Sequence, residues 1–215
     1  HLEFFRLGAT VPTRCFMAAN RVGKTEGGGG YELTLHLTGR YPEWWEGRRF
    51  NHPIDAWAAG DTNETVRDII QLKLMGREEE GWGTGLIPGA DIGSVTKRPN
   101  SNGALDFVTV KHVSGGESRL GFKSYEQRRK AFQGTEKHVI WLDEESAEGI
   151  RSECSMRLEI ASASPAEPGA SAARPVNALS PPSRRRSANS SMLISAKTSR
   201  MPQVKTPGPS IATAP

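Results

Sequence analysis

The chain of 215 residues is short of cysteine, having only Cys15 and Cys154. One possible pair is no disulfide framework, and neither spacing suits a metal site, so a reducing cytoplasm is the expected setting. Long apolar runs are also absent. No stretch reaches the length of a membrane span, and no charged-then-apolar leader precedes the body of the sequence. Position 1 is His1 and not Met, so the N-terminus is expected to have been cut from something longer. Aromatics disappear altogether after Arg157, where nine of the fourteen prolines fall. There seven basic residues stand against two acidic ones, so the net charge of +4 belongs to the tail and the body is near neutral. A basic platform for nucleic acid is therefore not what the body's composition describes.

What is present is a stretch built for phosphate. The β-prone run Arg14-Cys15-Phe16-Met17 leads into Ala18-Ala19-Asn20-Arg21-Val22-Gly23-Lys24-Thr25, and Glu26 begins a helix. Backbone N–H groups at a helix N-terminus point at anionic oxygens, and the helix dipole favours the charge. In G-x-x-x-x-G-K-[ST] the lysine reaches the β- and γ-phosphates and the hydroxyl ligates Mg²⁺. Here Ala18 replaces the first glycine, which leaves an ordinary strand-to-helix turn as the competing reading. Arg21 within the loop could reach a γ-phosphate, or form an ion pair with Glu144 or Glu145. Cys15 is expected on a buried strand.

The rest of the body reads as alternating strands and helices. Residues 1–12 are a lead-in whose Phe4 and Phe5 could stack on a base or anchor the core. Gly27-Gly28-Gly29-Gly30 would cost a helix roughly 3–4 kcal/mol relative to alanine, so its first turns either form poorly or pack closely on something. Gly39 is a plausible C-cap. The block Arg40-Tyr41-Pro42-Glu43-Trp44-Trp45-Glu46-Gly47-Arg48-Arg49-Phe50 is either a lid or DNA-facing surface, or a loop pinned by its tryptophans. Asp55–Gly60 predicts a second strand, Asp61 or Thr62 a cap, and the apolar recurrence from Val66 to Leu74 a helix ending at Gly76. Residues 77–104 read as a surface excursion with one short helix near Ala90-Asp91-Ile92. Residues 106–112 and 119–125 read as strands joined by a turn at Ser114–Glu117, and Glu126 to Phe132 as a short basic helix.

The second chemical motif is Val139-Ile140-Trp141-Leu142-Asp143-Glu144-Glu145. Its apolar part suits a buried parallel strand. Asp143 at the strand end could hold Mg²⁺, and Glu144 could activate a water for attack on a γ-phosphate. Alone it reads rather more readily as a charged strand end. With Gly23-Lys24-Thr25 upstream, both motifs fall at carboxyl ends of strands, where ligands bind in α/β sheets. Together they describe an ATPase.

Several blocks taken as a set resemble a known family. They are Asn20–Thr25, Thr38-Gly39-Arg40-Tyr41-Pro42 with Trp44-Trp45 and Gly47, Phe122-Lys123-Ser124-Tyr125, Phe132-Gln133-Gly134-Thr135 and Trp141–Glu145. Across residues 5–157 they are similar to the large terminase subunit of tailed bacteriophages. The resemblance implies an α/β P-loop NTPase of the additional-strand, RecA-like type with a mostly parallel sheet, hydrolysing ATP to package double-stranded DNA into a procapsid. It implies Ala19, Asn20, Arg21, Val22, Gly23, Lys24 and Thr25 around ATP, Thr25 and Asp143 on Mg²⁺, and Glu144, Arg21 and Lys24 in catalysis. It also implies a homo-oligomeric ring, a portal protein and a small terminase subunit as partners, and the host cytoplasm as location, with transient residence at the procapsid portal. A membrane is not implied.

The same comparison makes the end of the chain anomalous. The family continues with further strands, a coupling motif and a nuclease domain, whereas residues 158–215 read as a disordered, basic, Pro/Ser/Ala-rich tail. With only Glu159 and Glu167 it offers no nuclease metal site. The expectation is an incomplete ATPase domain over 1–157, truncated or frameshifted. Removing residues 158–215 is then expected to leave the body's stability nearly unchanged. An inactive prophage remnant and another P-loop ATPase, such as a helicase, are the competing readings.

Overall fold

Strands at the centre of an α/β sheet are apolar on both sides because helices cover both faces. Asp55–Gly60 and Val139–Asp143 have that character, and the architecture is built around them. The computed structural model of the protein describes residues 1–18, 22–163 and 192–198. Its strands are β1 (Thr13–Ala18), β2 (Asp55–Gly60), β3 (Ile92–Lys97), β4 (Leu105–Lys111), β5 (Glu117–Ser124), β6 (Val139–Asp143) and β7 (Met192–Thr198). They form one sheet in the order β1-β7-β6-β2-β5-β4-β3. The pairs from β1 through to β5 are parallel, while β4 and β3 extend the sheet antiparallel at one edge. The mostly parallel α/β class read from the sequence is the one observed.

Helix α1 covers Leu2–Leu7. Helix α2 opens in π-helical turns over Lys24–Gly30 and continues as α-helix over Tyr31–Thr38. Helix α3 runs through Asn63–Thr65, a π-helical Val66–Gln71 and Leu72–Met75. Helix α4 is Glu148–Ala163. Their ends follow the sequence signals. Gly39 closes α2 at φ 71°, its N–H donating to the Leu35 carbonyl. The Thr62 hydroxyl accepts from Thr65 N at 3.0 Å at the start of α3, and Gly76 ends it at φ 82°.

Strand alternation divides the core. Ala56 and Ala58 of β2 and Val139 and Trp141 of β6 face a large core with Leu33, Leu37, Ile70 and Leu74 from α2 and α3. Trp57 and Ala59, with Ile140 and Leu142, face a smaller one with Phe132 and with Ile150, Cys154 and Leu158 of α4. The α4 residues recur at four-residue intervals, so one stripe of that helix does the covering.

Four expectations are corrected. The chain does not lose its structure at Arg157: α4 continues to Ala163, and Met192–Thr198 forms β7 between β1 and β6. A short apolar run sufficed, because a slot with a strand on either side satisfies the backbone on both edges. Ile194, at its centre, is buried. Residues 164–191 and 199–215, the rest of the expected disordered tail, lie outside the described residues. Second, the excursion at 77–104 contains β3 as well as the short helical turn at Gly89–Asp91. Third, the expected helix from Glu126 is two 3₁₀ turns, Tyr125–Gln127 and Arg129–Phe132, broken by Arg128 at φ 58°. Fourth, Cys15 is exposed, since β1 is an edge strand, while Cys154 is buried and its thiol is pushed up to about 12 by that burial.

The Tyr41–Phe50 block is pinned to the body. Trp45 and Phe50 are buried, the Trp45 indole donates to the Arg48 carbonyl, and the Tyr41 hydroxyl accepts from Phe50 N at 2.8 Å. Arg40 holds Asp91 through two bonds of 2.8 and 2.9 Å. Phe4 and Phe5 are core anchors, with Phe5 against Trp45 at 4.9 Å between ring centroids.

Candidate nucleotide site

The candidate phosphate loop lies in sequence between the carboxyl end of β1 and the start of α2. Ala19, Asn20 and Arg21 lie outside the described residues, so neither alternative for Arg21 is placed. Val22 and Gly23 are exposed, and Gly23 adopts φ 77°, a left-handed turn natural to glycine. Its carbonyl accepts from both Gly27 N at 2.7 Å and Gly28 N at 3.2 Å, which begins the wide π-helical turn. Single π-helical turns of this kind recur at functional sites.

Two of the four glycines are explained by what stands against them. A Cβ on Gly29 would lie 2.1 Å from the Trp141 indole nitrogen, and one on Gly30 would lie 2.8 Å from the Thr25 carbonyl oxygen. On Gly28 it would meet the Phe16 ring at 3.5 Å, an ordinary contact. The helix packs its backbone directly on β6, so the close-packing alternative holds.

This closeness brings the two motifs together. Val139 and Trp141 point to the α2 side of the sheet, and alternation sends Asp143 the same way. The Thr25 hydroxyl lies 3.2 Å from each Asp143 carboxylate oxygen, across 118 residues of sequence. Lys24 is buried beside them. Burial pushes the Asp143 carboxyl up to about 6, against the lowering effect of the Thr25 hydrogen bond and the Lys24 charge, while neighbouring Glu144 adds to the rise. Hydroxyl and carboxylate oxygens converging on one point suit a hard divalent cation such as Mg²⁺, and a cation there would relieve the buried charge.

Glu144 and Glu145 are exposed at the end of β6. Glu144 sits at φ 65°, left-handed backbone that a non-glycine residue adopts only when its surroundings impose it. Sequence reading missed two supports. Tyr125 donates its hydroxyl to the Asp143 carbonyl at 2.8 Å. Behind the loop, Arg14 of β1 bonds Glu32 of α2 at 2.8 Å, both buried, and also the Phe4 carbonyl. An acid set among Tyr31, Leu33, Leu35 and Leu37 was the available signal for the second. A tyrosine bonded to a carbonyl leaves no such signal.

Residues 15–162 match the family described as the terminase large subunit, T4likevirus-type, N-terminal. The chain belongs to this family. The large terminase subunit of Salmonella phage P22 is 41% identical over 170 residues, covering 70% of this chain and 34% of the relative. The chain thus spans about a third of that protein's length. A solved structure of the large terminase from a thermophilic bacteriophage superposes with a TM-score of 0.51 at 12% identity, over 87% of this chain and 34% of that one. At that identity the likeness speaks for the fold alone. Among the described residues no helix is long and apolar enough to cross a membrane.

Proposed function

We propose that this chain is the ATP-hydrolysing part of a packaging terminase, acting on double-stranded viral DNA. The observation that carries the reading is the contact of Thr25 with Asp143, which joins a phosphate loop to an acidic strand end. In this reading ATP lies along the loop, its phosphates met by the backbone N–H groups of residues 19–25 and by the Lys24 ammonium. Thr25 and Asp143 would hold Mg²⁺, which when bound neutralises phosphate charge and polarises the transferred group. Glu144 takes a proton from the attacking water, and Arg21 stabilises charge on the γ-phosphate. A ring of such subunits at the portal of a procapsid in the host cytoplasm, with a small terminase subunit, is the assembly that family membership supports.

The test is thermal. With Mg²⁺ and ATP at about a hundredfold excess over Kd, ligand binding stabilises the full chain by about 2.7 kcal/mol, or roughly 5–10 °C in Tm. Lys24→Ala should abolish this shift. Absence of a shift in the unmodified chain, or its survival in Lys24→Ala, overturns the reading. Release of phosphate stimulated by double-stranded DNA distinguishes a motor from a simple nucleotide binder.

A further inference from the structure

Tyr125 stands at the turn after β5, away from both nucleotide motifs in sequence. Its position is over-determined. Its backbone N–H donates to the Asp61 carbonyl at 3.1 Å, its ring lies against Phe132 at 6.5 Å between centroids, and its hydroxyl is 3.4 Å from the Ala59 carbonyl. The stronger bond of that hydroxyl, at 2.8 Å, goes to the carbonyl of Asp143. The ladder between β2 and β6 ends at the pair Ala59 and Leu142, so the tyrosine takes over one residue beyond the last strand partner.

The Asp143 carbonyl and the Glu144 N–H belong to one rigid peptide plane. Fixing the carbonyl therefore fixes the axis about which φ of Glu144 is measured. That φ is 65°, left-handed backbone that is unfavourable for a residue with a Cβ. In an extended conformation residue 144 would continue the strand's alternation and send its side chain to the face opposite Asp143. The left-handed turn ends the alternation. We infer that Tyr125 is a positioning residue for Glu144, holding the Asp143–Glu144 peptide so that the carboxylate stays where a water attacking the γ-phosphate must be activated. The inference rests on the ATPase reading above for the role of Glu144.

The test uses the full chain with Tyr125→Phe, which keeps the ring and removes only the donor. A general base displaced by a fraction of an ångström loses rate steeply, so kcat for ATP should fall roughly 10- to 100-fold, with KM and the ADP-induced Tm shift unchanged. The loss should not recur on the Glu144→Gln background, because both changes disable one step. Amide hydrogen exchange across Asp143–Ser146 should quicken in Tyr125→Phe, a readout independent of activity. The inference is overturned by kcat within twofold of the parent, by a parallel change in KM, by full additivity with Glu144→Gln, or by unchanged exchange. A parent chain that binds no ATP would instead sink the ATPase reading, leaving the exchange arm to decide the structural half by itself.

Discussion

At the scale of single residues, Gly29 and Asp143 are the positions where chemistry and packing conflict most directly. Gly29 has no room for a methyl group, because the Trp141 indole occupies that space from a buried central strand. Gly29→Ala gains helix propensity worth about 1 kcal/mol, but the forced shift of a buried indole costs about 1–3 kcal/mol. The net expectation is a lower Tm, and a weaker ATP-induced shift because Lys24 and Thr25 ride on the same turn. A melting curve at or above that of the parent would show that the two elements have slack between them. Asp143 makes a pH prediction. Its carboxyl titrates near 6 in the folded protein and near 3.8 in the unfolded chain. Below the lower value both states are protonated and burial costs nothing. Above the higher one the folded state carries the full cost, at most about 3 kcal/mol. Ligand-free Asp143→Asn should therefore melt above the parent at pH 8 and level with it at pH 3. The stabilisation given by Mg²⁺ and ATP in the parent should weaken as pH falls through 6, since a proton competes for the same oxygens. Equal melting of variant and parent at pH 8 would show that the buried charge is compensated elsewhere.

At the scale of elements, legibility followed periodicity and apolar density. β6 and β2 read clearly because they are buried on both faces, and α3 read clearly because its apolar residues recur between a Thr cap and a closing glycine. β3 escaped because Ile92–Lys97 is only half buried at the sheet's edge, with a glycine and a serine where a core strand would have long side chains. β7 escaped because its surroundings in sequence are Pro-, Ser- and Arg-rich, and composition averaged over a tail hides a seven-residue strand. Of the candidate site, Lys24, Thr25 and Asp143 were legible as members of two motifs, and the structure brings those motifs together. Tyr125 was legible only as the end of the block Phe122-Lys123-Ser124-Tyr125, which gave no sign of its bond to a backbone carbonyl. The position of β7 reverses the earlier expectation about truncation. Deleting residues 192–215 removes the only ladder partner of β1 among the described residues and one of two partners of β6. Tm should drop by several degrees and the ATP-induced shift should vanish. A truncated chain that melts and binds ATP like the parent would show that β1 can pair directly with β6.

At the scale of the whole molecule, the sheet has a firm side and a marginal side. From β6 through β2 to β5 and β4 the strands succeed each other with connections confined to residues 55–143, and the larger core lies over them. The candidate phosphate loop follows β1, at the other margin. There β1 pairs with β7 in a register that sets Thr13 against Leu193, residues near opposite ends of the described chain. Contacts so distant in sequence carry a large loop-closure entropy and form late. On a ribosome, the central strands and α3 have left the tunnel long before Met192 is synthesised, and they can pack first. β1 must then wait for β7, its ladder partner among the described residues. The margin that carries the candidate phosphate loop is thus completed only after residues 192–198 have been made, well after the strands at the centre of the sheet.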